Sequence, residues 1–396
     1  MTQPLRPPAP IPLSAEVVRL ARTLEEAGHE AWCVGGAIRD FLLGNLQSDV
    51  DLATSAPPEE VLRLFKRTVP VGIAHGTVGV LDQAGQLHEI TTFRKDVRTD
   101  GRHAEVAYGV SLEEDLARRD FTINAIAYHP IRHEWRDPHH GTEDLKGGLV
   151  RAVGVAEERF REDYLRILRG LRFAARFGFQ IEPETWAAMQ AAARGLAGLS
   201  AERVRDEWLK GLTSAQQVLG FIESWHAAGA AEVALPELRR NPPLAAPDPP
   251  PRDPVLLTAL VVADPGGVLT RLRGSKAEIA RVNRIAEGPA GPAELDPVTV
   301  RRWLAAVGPA ADDLLRSHLI RTGKPAPWAA VVAEIRVRGD ALDRASLRIS
   351  GHELAEAGLA RGPAMGTLLS RLLDEVLQDP ARNTREHLMA RARDWA

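Results

Sequence analysis

Asp49-Val50-Asp51-Leu52, set between Gly35-Gly36-Ala37-Ile38-Arg39-Asp40 and the extended run 78–93, is the stretch around which the amino-terminal third of the chain is organised. In a strand successive side chains point to opposite faces, so Asp49 and Asp51 project side by side while Val50 faces the core. Two like charges held that close need a cation or a shared proton between them. Hard carboxylate oxygens on a rigid element suit Mg²⁺, which completes its shell with water and substrate phosphates.

The residues just before the pair carry the second half of the argument. Ala31-Trp32-Cys33-Val34 reads as a short apolar strand, and Gly35-Gly36 closes it ahead of a short helix ending near Leu43-Gly44. Glycines at such a corner let backbone N–H groups reach phosphate oxygens, the helix N-terminus adds a favourable dipole, and Arg39 offers a charged fork. The same residues equally describe a plain strand-turn-helix corner with Arg39 paired to Asp40.

The chain has 396 residues, room for two to four domains, with a formal net charge of -3. Bulk charge therefore gives no argument for a polyanionic partner, and local charge must decide. The single cysteine, Cys33, sits in an apolar strand, which excludes disulfide support and a cysteine-rich zinc site and fits a reducing compartment. No apolar run is long enough to span a membrane and 1–12 has no signal-peptide core, so the expected location is the cytoplasm.

Along the chain, Ser14 caps a helix with Val17, Leu20, Ala21 and Leu24 on one stripe, ending at Gly28. Thr54 to Glu59 opens a helix reaching about Arg67, and the runs 76–81 and 87–93 read as a hairpin. On its second arm Glu89 is either a third carboxylate for the metal or a solvated strand position. Residues 94–109 are polar and charged, including Arg98, Asp100 and Arg102, and read as a loop or lid. Ser111 and Glu114 form a capping box. Arg118-Arg119 near the carboxylates would suit a triphosphate, or would be a helix-end ion-pair cluster.

From Glu157 the chain becomes helical, and 159–176 holds six arginines against two acids, Glu162 and Asp163. Asp163 and Arg166, three apart on one helical face, can present an acceptor and a donor to the Watson–Crick edge of a base, or can be a simple surface ion pair. A capped helix follows from Ser200, and 241–254 holds seven prolines in fourteen residues, a surface loop or linker. The remainder reads as helices separated by Pro-Gly turns, with no catalytic spacing. Paired carboxylates, a glycine corner, arginines and a base-reading pair together describe two-metal nucleotidyl transfer, with Asp49 and Asp51 holding two Mg²⁺ ions and pyrophosphate leaving.

As an ordered set these motifs resemble the bacterial class II tRNA nucleotidyltransferases, the CCA-adding enzymes, and the related bacterial poly(A) polymerases. The resembling residues are Gly35 to Asp40, Asp49 to Thr54, His75-Gly76-Thr77, Glu89 to Arg94, Arg118 to Ala125, Asp137-Pro138 with Gly141 and Asp144-Leu145, Glu162 to Arg166, and Ser200 to Arg203. Weaker matches at 362–366 and 383–386 extend the likeness over nearly the whole chain.

The resemblance implies an α+β protein: a nucleotidyltransferase head with a mixed β-sheet and helices, then an all-helical neck, body and tail. The corresponding boundaries are a flexible N-terminus at 1–13, the head at 14–136, the neck at 137–210, the start of the body with its Pro-rich loop at 211–254, and a helical body and tail at 255–396. It implies Asp49 and Asp51 as catalytic and metal-holding and Arg119 as nucleotide-contacting; the residues themselves add Glu89 as a candidate metal ligand and Gly35, Gly36 and Arg39 as candidates against phosphate. Base recognition falls to Asp163 and Arg166 with Glu162, the flexible loop to Arg98, Asp100 and Arg102, and neck and RNA contacts to Arg169, Arg172, Arg176 and Arg203. The implied activity is template-independent, Mg²⁺-dependent addition of CMP or AMP from CTP and ATP to the 3′ end of tRNA, gripped at its acceptor and T arms. CC-adding or A-adding forms, a poly(A) polymerase and a non-catalytic RNA-binding protein are the alternatives.

Overall fold

The computed structural model describes residues 10–45, 50–73, 76–99, 104–245 and 252–395; of 96–99 and 104–106 it describes the backbone alone. His75, Asp49, Asp100 and Arg102 therefore lie outside the described residues, and for Arg98 only the backbone is described. The chain divides after Pro236 into two compact units.

In the first unit, Ser14 accepts from the Val17 amide at 3.3 Å and starts α1 (Ala15–Glu26), whose Val17, Leu20, Ala21 and Leu24 are buried. Then come β1 (Ala31–Val34), buried throughout, α2 (Gly36–Leu42), β2 (Asp51–Thr54), α3 (Pro58–Leu64) and β3 (Thr68–Gly72). They are followed by β4 (Thr77–Leu81), β5 (Leu87–Thr92), β6 (Arg94–Thr99), β7 (Ala104–Tyr108), α4 (Leu112–Ala117), β8 (Ala127–Tyr128) and β9 (Trp135–Arg136). One seven-stranded sheet runs β3-β4-β5-β2-β1-β8-β9, with β2 and β5 parallel and the other pairs antiparallel.

The pleat assigns the two faces. Trp32, Val34, Ala53, Phe93, Ala125 and Ala127 form a core with Leu112 and Leu116 of α4 on one side. Cys33, Leu52 and Ile90 alternate with them, fully buried on the other. Val50, half-buried just ahead of β2, lines a cavity of about 370 Å³ with Ile38 and His88 on that second side.

Three expectations change. The charged stretch read as a loop or lid is a two-stranded ribbon, β6 paired antiparallel with β7. The start of the chain, expected to be flexible to residue 13, is anchored in its described part: Ile11 is buried and its amide donates to the Tyr128 hydroxyl at 3.2 Å. The helix expected from Glu157 onward is two helices, as the next elements show.

These are α5 (Gly141–Gly147), β10 (Leu149–Val150), α6 (Ala156–Glu162), α7 (Leu165–Phe177), β11 (Gln180–Ile181), α8 (Pro183–Ala192), α9 (Ala201–Ser214), α10 (Val218–Ala227) and α11 (Ala230–Ala234). Asp163 is extended, at φ -154° and ψ 103°, and separates α6 from α7. Asp163 and Arg166 therefore do not share a helical face; Asp163 stands just ahead of the helix that carries Arg166, its Oδ1 accepting from the Leu165 amide at 3.0 Å.

The second unit is helical: α12 (Pro254–Val261), α13 (Pro265–Arg271), α14 (Lys276–Glu287), α15 (Pro297–Val307), α16 (Ala311–Thr322), α17 (Ala329–Arg338), α18 (Gly351–Glu356), α19 (Pro363–Gln378) and α20 (Arg385–Trp395). Its punctuation is Asp-Pro. Asp253, Asp264 and Asp296 each cap a helix through the side chain, with the following proline in the first turn, where a missing N–H costs nothing. One apolar cluster gathers Val300, Trp303, Leu314 and Ile335, and another Leu354, Leu372, Val376 and Leu388. Among the described residues no helix is long and apolar enough to cross a membrane.

Candidate active site

A cleft of about 630 Å³ in the first unit collects most of the residues singled out in the sequence, a volume suited to a small-molecule ligand. Gly35, Gly36, Arg39, Asp51, Glu89, Arg119, Asp163, Arg166, Arg169 and Arg203 all line it.

Its floor follows from strand register. Leu52 lies opposite Ile90 in the parallel β2–β5 pair, so Asp51 and Glu89, one residue earlier on each strand, stand on the same face at the same level. Asp49 lies outside the described residues. Among the described residues no group of three metal-ligating side chains is present. The donors at this level are nevertheless carboxylate oxygens, and the neighbouring Cys33 thiol is buried, with burial and Asp51 pushing its ionisation well up. An all-oxygen donor set fits a hard cation such as Mg²⁺.

The glycine corner is a steric requirement. Gly35 has φ 76° and ψ -137°, and a Cβ on it would stand 3.2 Å from Nη1 of Arg119. Arg119 donates to the Asn124 carbonyl at 3.3 Å and to Asp115 Oδ2 at 3.0 Å, and its Nε–H has no acceptor among the described residues. Arg39 is differently placed. Its buried guanidinium donates to Asp40 at 2.8 Å and Asn124 at 2.5 Å and lies over the rings of Phe173 and Phe177. The pairing with Asp40 is thus the arrangement found at this corner.

On the opposite wall, Arg166 donates to Glu162 Oε2 at 2.7 Å, to the Arg159 carbonyl at 3.1 Å and to the Arg118 carbonyl at 2.9 Å. Glu162 thus holds Arg166 in place and is absent from the lining. Asp163 Oδ2 accepts from Arg203 at 2.7 Å. Asp163 and Arg166 reach the cleft with separate partners, and both keep hydrogen-bonding capacity to spare.

The arginines expected to contact RNA are mostly engaged within the fold. Arg169 donates to Asp120 Oδ2 at 2.7 Å and Arg176 to Asp40 Oδ2 at 3.0 Å. Arg172, expected to contact RNA, is instead buried, donating to Glu207 at 2.5 Å and stacked on Phe173. Its partner comes from α9, which the sequence of α7 does not reveal.

Two carboxylates not singled out earlier organise the site. Asp115 and Asp120 are both buried. Burial would raise each, yet arginines and hydrogen bonds more than reverse it: Asp115 lies below its usual range beside Arg119 and Arg118, and Asp120 falls to about 2 beside Arg169. The signal for Asp115 was present in sequence, since it stands three and four residues ahead of Arg118 and Arg119 on a helix.

Residues 31–151 match the family profile described as Poly A polymerase head domain, and 178–241 match a probable RNA and SrmB-binding site of polymerase A. The CCA-adding enzyme of Leuconostoc mesenteroides is 53% identical over 197 residues, 49% of this chain and 48% of its own length. That of Lactiplantibacillus plantarum is 49% identical over 204 residues, 51% of this chain and 50% of its own. The chain thus spans about half the length of the curated relatives it matches. The solved Bacillus stearothermophilus CCA-adding enzyme in complex with CTP is 31% identical, with 96% of this chain and 97% of that one covered and a TM-score of 0.80. The Thermotoga maritima CCA-adding enzyme complexed with tRNA, 19% identical with 97% of each chain covered, shares the fold at a TM-score of 0.69.

Proposed function

The chain belongs to the poly(A) polymerase head-domain family that includes the CCA-adding enzymes, and from that premise we propose that it adds CMP and AMP, drawn from CTP and ATP, to the 3′ end of tRNA without a template. The observation that carries the proposal is the convergence in one cleft of the glycine corner, Asp51, Arg119, Asp163 and Arg166. Relatives about half identical bear the name CCA-adding enzyme, and the 31%-identical structure in complex with CTP supports a cytidine nucleotide as ligand. We place the activity in the cytoplasm, where tRNA and nucleoside triphosphates meet.

The triphosphate rests along Gly35 and Gly36, where the absent side chains let the chain approach closely, and Arg119 neutralises its oxygens. Asp163 and Arg166 read the base. Cytosine and adenine both offer an exocyclic amino donor beside a ring-nitrogen acceptor, whereas uracil and guanine present the reverse, so one acceptor–donor pair admits the first two and rejects the others. Asp49 and Asp51, with Glu89 beside Asp51, are the residues that would hold two Mg²⁺ ions, which supply Lewis acidity at the phosphoryl oxygens and the attacking hydroxyl. The tRNA 3′ hydroxyl attacks the α-phosphorus, the bond to the bridging oxygen breaks, and pyrophosphate departs.

Purified protein offered tRNA transcripts ending before CCA, after the first C and after CC, each with CTP or ATP alone, tests the proposal. The expected result is C addition to the first two and a single A on the third. Incorporation of C alone would leave a CC-adding enzyme, A alone an A-adding one, runs of A on generic RNA a polymerase, and no incorporation a binding protein.

A further inference from the structure

The two arms proposed to touch the nucleotide converge on one buried side chain that touches neither phosphate nor base. Asp115 Oδ1 accepts from Nε and Nη2 of Arg118, both at 3.0 Å, and from the Arg94 amide at 3.4 Å, while Oδ2 accepts from Arg119 Nη2 at 3.0 Å. The carboxylate is 1% exposed, whereas each arginine side chain keeps 18% of its surface open and lines the cleft. The backbone just beyond continues the chain of contacts, for the Arg118 carbonyl accepts Arg166 Nη2 at 2.9 Å.

We propose that Asp115 is the positioning residue for both nucleotide-contacting arms: it fixes Arg119 directly and Arg166 through the Arg118 turn. The inference rests on the nucleotidyl-transfer reading of the cleft. An arginine side chain has much rotamer freedom to lose when it grips a ligand, and a partner that holds it beforehand removes that cost from binding. Two guanidinium groups side by side also repel each other unless an acid stands between them. Asp115 meets both needs from a place no substrate reaches, so its removal weakens nucleotide capture while leaving the reacting centre at the carboxylate level intact.

The test is steady-state kinetics of single CMP and AMP additions by the full chain, with folding followed by thermal melting. Wild-type protein that incorporates nothing would remove the functional reading itself; active wild-type protein with an unaffected Asp115→Asn variant would remove only this inference. In Asp115→Asn the KM for CTP and for ATP is expected to rise about tenfold, the loss of one charge-assisted bond, with kcat within about threefold. Arg119→Gln is expected to raise KM similarly. The double variant then exceeds the worse single one by no more than about twofold, because Asp115→Asn already disables the arm that Arg119→Gln removes. Additive KM effects, or a fall in kcat with KM unchanged, would overturn the proposal. Should Asp115→Asn fail to melt cooperatively, Asp115→Glu, which keeps the charge, carries the same cycle; failure of both to fold would make Asp115 a core residue only.

Discussion

Protonating Asp120 should unlock the wall of the cleft, and the structure sets both the size and the pH of the effect. Its Oδ2 accepts from Arg169 Nε at 2.7 Å, and its Oδ1 from the Phe121 amide at 2.8 Å and Asn124 Nδ2 at 2.9 Å. Burial opposes ionisation, but Arg169 and these donors overcome it and bring the carboxyl from the ordinary 3.8 down to about 2. That difference is worth about 2.5 kcal/mol of stability at neutral pH, and the 35% exposure of the Arg169 side chain trims it through solvent screening to about 2 kcal/mol. Because the folded value lies below the unfolded one, the contribution is complete above about pH 4 and is lost as pH falls through about 2. Urea unfolding of wild type and Asp120→Asn, followed through the transition of the first unit from pH 7 to 2, is the measurement. The wild type should lead by about 2 kcal/mol at pH 7, and the gap should close between about pH 4 and pH 2. A gap constant with pH, or one that opens on acidification, would refute the assignment of Arg169 to Asp120.

Asp51→Asn should cut CMP and AMP incorporation by about a thousandfold while gel-shift affinity for tRNA holds, and a parallel loss of binding would count against a metal-holding role. Arg172→Ala should destabilise the first unit by about 3 kcal/mol, since it strands Glu207 in the core, with tRNA affinity per folded molecule unchanged. Lowered tRNA affinity at unchanged stability would return Arg172 to the RNA surface. Gly35→Ala forces a side chain into a backbone conformation that costs about 1–3 kcal/mol and presses its Cβ on Arg119, so the KM for CTP should rise; an unchanged KM would detach Arg119 from the phosphates.

Much of this fold was legible because local rules and tertiary packing agree. The Ser14 cap, the apolar run at Trp32, the hairpin of β4 and β5 and the Ser111–Glu114 capping box are each signalled within a few residues, and each occurs. The misses share a cause as well. β3 carries Pro70 and exposed valines at a sheet edge, a composition that reads as a non-strand, and β6 is mostly charged because the ribbon it forms stands outside the main sheet. The break at Asp163 escaped because α6 and α7 are both strong helix formers and only the extended backbone between them shows the interruption. Within the site, residue types were readable and partners were not: Arg39 and Asp40 are adjacent, but Arg172 finds Glu207 and Arg169 finds Asp120 across tens of residues.

That difference alters what the basic stretch 159–176 means. As a sequence it is a cationic helix awaiting a polyanion, but in the fold its own Glu162 and acids from three other places reach its arginines. Glu162 serves Arg159 and Arg166, Asp120 serves Arg169, Glu207 serves Arg172 and Asp40 serves Arg176, leaving Arg161 without an acidic partner among the described residues. Phe173 and Phe177 thread the same seam, with Arg39, Arg169 and Arg172 over the first ring and Arg39 and Arg176 over the second. Cation–π contacts of this kind gain strength where water is excluded, and the buried Arg39–Asp40 and Arg172–Glu207 pairs beside them make those two arginines costly to release. The arginines of α7 therefore act first as rivets between the glycine-corner helix α2, the 118–124 turn and α9. On the proposed function, they would hold the wall bearing Asp163 and Arg166 at a fixed distance from the floor bearing Asp51, the geometry that reading a base at the point of phosphoryl attack would require.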